Sequence, residues 1–174
     1  DALLRRLLDS GTDASTADLA WARRERAMIL AAGGKPDETT ALLGGAPRPG
    51  EDATAFRRAQ AFLLAASPDG RAEALRRLDA EAQAGPLPAD EDFRLARLYD
   101  AAGRWPEARD RLAALLTADR RNPEYLACLI DGLLRHGQAE EAGAWLDRLA
   151  ALEPGAERVK QFRARLTAEP SGTP

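Results

Sequence analysis

The sequence predicts an all-α fold, a row of helical hairpins, and three observations carry that expectation. The first is composition: 38 Ala and 26 Leu in 174 residues stand against one valine (Val159) and two isoleucines (Ile29 and Ile130). Sheets draw on β-branched and aromatic side chains, and aromatics are only 5% of this chain. The second is charge: 30% of the residues are ionised, with acids and arginines interleaved throughout, as on helices that bury one face and wet the other. The third is a repeat. Glu73-Ala74…Leu78, Glu107-Ala108…Leu112 and Glu141-Ala142…Leu146 share one pattern, E-A-x-x-x-L, at a period of 34 residues. Sheet-based enzymes are argued against by the same composition.

The elements follow in order. Ala2, Leu3, Leu4, Leu7 and Leu8, with Arg5 and Arg6, make a short amphipathic helix over 2–8. A degraded copy of the repeat, Glu38-Thr39…Leu43, lies 35 residues before the first full one, with Gly34 as its turn residue. The stretch from Gly44 to Gly50 reads as a hinge between units. Asp69, Gly103 and Gly137 stand five residues before the repeat alanines and are expected at the turns. Leu95, Leu98 and Tyr99 share a helix face that stops at Gly103. A second helix is expected from Pro106, carrying Ala108, Leu112, Leu115 and Leu116 inward. Asn122-Pro123-Glu124 supplies a cap acceptor, a fixed φ and an acid at the positive end of the next helix. Leu126, Leu129 and Leu133 then lead to Gly137, and Ala142, Leu146 and Leu149 to Pro154. A last helix after Gly155 turns Val159, Phe162 and Leu166 inward, with Lys160, Arg163 and Arg165 facing water.

Chemistry is sparse. No apolar run approaches the ~20 residues of a membrane span. The net charge is −3 and no basic stripe of the kind a phosphate backbone requires is visible. Metal binding lacks ligands, since Cys128 and His136 are the only cysteine and histidine; Cys128 reads as a small apolar residue and His136 as a helix cap. Ala32-Gly33-Gly34-Lys35-Pro36 fails as a phosphate loop, because Pro36 removes an amide and no Ser or Thr follows the lysine. Glu91-Asp92 and Glu140-Glu141 fall in first turns, where the helix dipole accounts for them. Trp105 reads as core and Trp145 as lying on the outer side or between units, which leaves Trp21 as the tryptophan best placed for an exposed role. No catalytic residue, metal or cofactor is expected.

The spacing of Leu95, Tyr99, Gly103, Trp105, Ala108 and Leu112, echoed by Leu129, Leu133, Gly137, Ala142, Leu146 and Pro154, resembles the tetratricopeptide repeat. The resemblance implies an α-α superhelix of about four hairpins, 20–54, 55–88, 89–122 and 123–156. Residues 1–19 would be an N-terminal helix ending a truncated preceding repeat, with its linker. Residues 157–168 would be a capping helix and 169–174 a tail. In the first unit Thr39 replaces the usual small residue, and in the second Ala61 and Ala65 replace larger ones. The family geometry implies a concave face lined by first helices, with Trp21, Arg24, Met28, Phe56, Ala59 and Leu63 toward its N-terminal end. Phe93, Arg97, Asp100, Asp131 and Arg135 would line its C-terminal end. A peptide or partner helix bound there is the implied function; Arg97–Asp100 and Asp131–Arg135 also read as ordinary pairs on a wetted helix face. The Lys/Asn/Arg carboxylate clamp of some family members is not supported, because lysine occurs only as Lys35 and Lys160. A structural spacer or self-association module is the alternative role. The chain opens at Asp1 and is expected to be part of something longer, and its many arginines and alanines suggest a GC-rich, bacterial-type genome.

Overall fold

Three hairpins of the chain close with one and the same turn. In the computed structural model, which describes residues 2–10 and 14–168, Gly34, Gly103 and Gly137 take φ values of 70°, 76° and 70°. The amide one residue later then donates five residues back: Lys35 to the Leu30 carbonyl (3.0 Å), Arg104 to Tyr99 (2.9 Å) and Gln138 to Leu133 (2.9 Å). This closes the last turn of one helix and aims the chain into the next, and the left-handed φ is what reserves the place for glycine.

Ten helices and no strand lie among the described residues: α1 (Ala2–Ser10), α2 (Thr16–Ala32), α3 (Pro36–Leu43), α4 (Ala53–Leu64), α5 (Arg71–Ala84), α6 (Ala89–Ala101), α7 (Trp105–Ala118), α8 (Pro123–Arg135), α9 (Ala139–Leu152) and α10 (Glu157–Ala168). The expected tail, 169–174, lies outside the described residues. The starts are chemically marked. Ser15 and Asp18 form a reciprocal capping box on α2, Asp52 accepts from Thr54 and Ala55 ahead of α4, and Asn122 accepts from Glu124 and Tyr125 ahead of α8. Helix α7 begins at Trp105, one residue before the expected Pro106, so the proline sits at the second helical position.

The chain falls into two compact units, one ending at Pro86 and one beginning at Leu87. In the first, α1 packs on α2, α2 on α3 and α4, and α4 on α5. In the second, α6 pairs with α7 and α8 with α9, while α6, α8 and α10 lie side by side. Each full hairpin crosses over its repeat alanine: Ala74 and Ala108 are wholly buried and Ala142 is 1% exposed. In the first hairpin Thr39 takes that place, buried, with its hydroxyl donating to the Lys35 carbonyl at 2.8 Å; a buried hydroxyl is tolerated there because it is satisfied.

Several expectations are corrected. Asp69 lies in the α4–α5 turn as expected, but this turn is not closed by the device of the other three. Ser67 closes it, its Oγ accepting from the Gly70 amide at 3.1 Å, and Gly70 is required because a Cβ there would lie 2.0 Å from the Leu64 carbonyl oxygen. The Gly44–Gly50 stretch is no free hinge. Gln60 donates to the carbonyls of Leu43 (2.7 Å) and Gly45 (3.1 Å). Glu51 accepts from the Arg48 amide (2.8 Å) and is bonded to the Arg23 guanidinium on α2. That ion pair is buried at both ends, and Arg23 also stacks 5.0 Å over Phe56. Arg165, expected to face water, is half-buried and pairs with Asp131.

Two measurements test this packing. Ala108→Trp and Ala142→Trp force bulk into closed crossings and are expected to lower stability by at least ~1–3 kcal/mol in urea melts; unchanged melts would remove the crossing role of these alanines. Glu51→Gln leaves the Arg23 charge buried without a counter-ion and is expected to cost about 3–5 kcal/mol, read as a shift of the urea midpoint of the α1–α5 unit.

Candidate interaction surface

Laid side by side, α6, α8 and α10 present one helix face three helices wide, and arginines stitch it together at the repeat period. Arg135 on α8 donates to both carboxylate oxygens of Asp100 on α6, at 3.1 and 2.5 Å. Its Nε also donates to Asp131, one turn back, at 3.0 Å. Asp131 accepts in turn from Arg165 on α10 at 2.6 Å. Arg158 on α10 reaches Glu124 on α8 at 2.7 Å and both oxygens of Glu153 at 2.6 Å. The sequence separations of the cross-helix pairs, 35, 34 and 34 residues, equal about one repeat. Each helix therefore offers acids to the next helix's arginines. Single exposed pairs contribute little, roughly 0–1 kcal/mol, but a bidentate fork fixes geometry as well as charge.

The electrostatics follow from these bonds. Burial alone would raise the Asp131 carboxyl, but the bonds from Arg165 and Arg135 outweigh it and hold the group below the usual aspartate range. Arg135 is driven above its ordinary value, chiefly by the bond to Asp100. Cys128, half-buried on α8, has its thiol pushed up to about 11 by burial; at neutral pH it is a thiol and not a nucleophilic thiolate. His136 does not cap carbonyls with its ring. The imidazole stacks on Trp105, with centroids 5.0 Å apart and planes 8° from parallel, and its Nε2 lies 3.9 Å from Asp100.

At the α6–α8 seam the Phe93 and Tyr125 rings meet at 4.9 Å, tilted by 50°. Arg97 lies 6.0 Å from the Phe93 centroid, exposed, and makes no ion pair or hydrogen bond among the described residues. The i,i+3 pair expected between Arg97 and Asp100 is not formed, because Asp100 is taken by Arg135. The Asp131–Arg135 pair is formed. Phe93, Arg97, Asp100, Asp131 and Arg135 are thus gathered on α6 and α8 within the second unit. Tyr125, Phe162 and Arg165 join them there. Sequence reasoning did not place these three on the face, although Arg165 lies one period after Asp131 and that spacing was a usable signal.

The N-terminal candidates belong to the first unit. Trp21 is 52% exposed and, with Leu3, Leu4, Leu7, Glu25 and Ile29, lines a cleft of about 540 Å³ between α1 and α2. Arg24 and Met28 are half-buried on α2. Phe56 and Ala59 are not groove residues: both are buried and pack with Ala27 and Leu43, with Leu63 partly buried against them. Their places on α4 face the interior because α2 lies against that side. Among the described residues no group of three or more His, Cys, Asp or Glu side chains is placed to hold a metal ion, and no helix is long and apolar enough to cross a membrane. No family model and no curated protein matches the chain.

The ladder gives stability a definite pH sense. Unfolded aspartate titrates near ~3.9, and native Asp131 titrates lower. The folded form therefore binds fewer protons, and this contribution is present above the unfolded value and lost as pH falls through the native one. Asp131→Asn is expected to lower the stability of the second unit at neutral pH and to flatten its loss below about pH 4, measured as urea midpoints against pH. An acid limb as steep as that of the parent chain would contradict the assignment.

Proposed function

We propose that the chain is a non-catalytic protein-interaction module of the tetratricopeptide type that holds a peptide segment or partner helix across α6, α8 and α10. One observation carries the reading. The other charges of the face neutralise one another along the arginine ladder, while Arg97 stands exposed beside the Phe93–Tyr125 pair without a counter-ion among the described residues. An aromatic ledge next to an uncommitted guanidinium suits a segment bearing an apolar side chain and a nearby carboxylate. The half-satisfied exception in an otherwise satisfied row is where a ligand gains most, since forming a new pair breaks no existing one.

A second reading, self-association or spacing within a larger protein, is favoured by a different observation. Leu3 and Ile29 are 79% and 44% exposed and share the α1–α2 cleft with Trp21, and contiguous exposed apolar side chains mark association surfaces.

The readings separate cleanly. Binding to an array of short acidic–apolar peptides is expected to weaken about tenfold or more in Arg97→Ala, with the urea midpoint unchanged because Arg97 closes no internal pair. Arg135→Ala is expected to impair both binding and stability. A peptide-binding chain indifferent to Arg97→Ala would sink the face assignment. If instead no peptide binds, and sedimentation shows a dimer that Trp21→Ala dissociates, self-association is the role.

A further inference from the structure

The shared turn puts one structural place in three hairpins under direct comparison: the first residue of the second helix, which is Pro36 in α3, Trp105 in α7 and Ala139 in α9. In the second unit Trp105 fills the gap between its own hairpin and α8. Its indole lies so close over Gly132 that a Cβ there would meet ring carbons at 2.1 and 2.2 Å. The ring stacks on His136, and its Nε1 donates to the Gln138 side-chain oxygen at 2.9 Å. Only 7% of the residue is exposed.

In the first unit the same place holds Pro36, whose ring reaches across nothing. The space between α3 and the α4–α5 hairpin is a cavity of about 560 Å³, walled by Pro36, Thr39 and Leu43 on one side and Gln60, Leu63 and Leu64 on the other. Its volume falls in the ~300–1,000 Å³ range of small-ligand sites. Gln60 commits its amide N–H groups to the carbonyls of Leu43 and Gly45. Its side-chain oxygen accepts no hydrogen bond among the described residues and is left to accept one, as the Gln138 oxygen accepts from Trp105. At Ala139 of α9 the counterpart has the same volume, about 560 Å³, but is lined by Gln138, Ala139, Glu140 and Glu141 with no leucine, so an unfilled place alone does not make an apolar site. The α3–α4 gap is distinguished by its leucine walls.

We propose that this cavity receives an aromatic side chain, an indole above all, inserted by a partner polypeptide. The partner would supply in trans what Trp105 supplies in cis one unit later. The pocket is open to solvent and mainly apolar, with Lys35 and Arg77 also among its lining; leucine walls suit a flat aromatic ring, cations can lie against its face, and an indole adds an N–H that matches the Gln60 oxygen. The site lies wholly within the first unit, so it stands or falls separately from the α6–α8–α10 face.

The test titrates the chain with N-acetyltryptophanamide, followed by amide NMR shifts. Saturable shifts are expected at Thr39, Leu43, Gln60 and Leu63, with N-acetylleucinamide binding more weakly. Pro36→Trp fills the cavity from within and is expected to raise the melting temperature and weaken binding by about tenfold or more. Leu63→Trp, entering from the opposite wall, makes the same demand should the first variant fail to fold. No saturation up to the solubility limit, equal affinity for the leucine analogue, shifts centred on Leu3 and Ile29, or undiminished binding in a folded filled variant would each overturn the proposal. So would self-association abolished by both Trp21→Ala and Pro36→Trp, which would make the occupant a second copy of this chain.

Discussion

The close crossing of paired helices over an alanine is the constraint from which the rest of the packing descends. A methyl group at Ala74, Ala108 and Ala142 lets two helices approach until their leucines interlock, and the burial of Leu78, Leu112 and Leu146 one turn later is the consequence. Once a hairpin is closed in this way, the first helix of the next one packs against both of its helices, α8 against α7 and α6, and α10 against α9 and α8. That is why α6, α8 and α10 end up adjacent, and why their remaining faces form a single surface. Thr39 shows the tolerance of the rule. One extra hydroxyl is accommodated, but only by bonding to the carbonyl four residues back, the arrangement that slightly disfavours a helix, and α3 is eight residues long where α5, α7 and α9 have fourteen.

Arginine supplies the lateral register. A guanidinium offers a planar fork of donors, so Arg135 can grip Asp100 with two bonds and still reach Asp131, and Arg158 can bridge Glu153 and Glu124. A lysine ammonium, a point charge on a flexible stem, would not fix two helices relative to each other in this way. The 23 arginines against two lysines are thus put to structural use along this face, whatever their origin in composition. Pairs separated by one period also resist slippage, since shifting a helix by a turn would break the bidentate bond and set like charges closer together.

The division between what the sequence disclosed and what it concealed follows the range of the interactions. Turn glycines, helix caps and crossing alanines depend on residues within a few positions of one another, so Gly34, Gly103, Gly137, Asn122 and the repeat alanines were legible. Lateral contacts depend on how far each helix is rotated about its axis, and one residue turns the face by a large fraction of its width. The pair anticipated between Arg97 and Asp100 therefore gave way to one between Asp100 and Arg135, and Arg165 turned inward to Asp131. Phe56 and Ala59, assigned to a groove by counting along a poorly matched repeat, belong to the core. The Gly44–Gly50 stretch misled for another reason. Its composition reports conformational freedom in the unfolded chain, whereas its fixed path comes from Glu51 and Gln60, which lie outside it.

That fixed path has a further physical meaning. A guanidinium 4% exposed, with its Nε lacking a hydrogen-bond partner, is a costly thing to bury. Desolvation lowers the pKa of Arg23 against the pull of Glu51. An apolar pair of similar volume would serve stability at least as well, so the worth of this one lies in direction. It ties α2 to the residue just before the cap of α4, while Glu51 also takes the Arg48 amide and Gln60 holds the start of the same loop. Between them these bonds set where α4 begins relative to α3, and hence the width of the gap between the two hairpins. In the second unit a tryptophan, Trp105, lies between the hairpins instead. The first unit holds its hairpins in place from the far side of the loop, which frees the space between them from having to be filled by the chain itself.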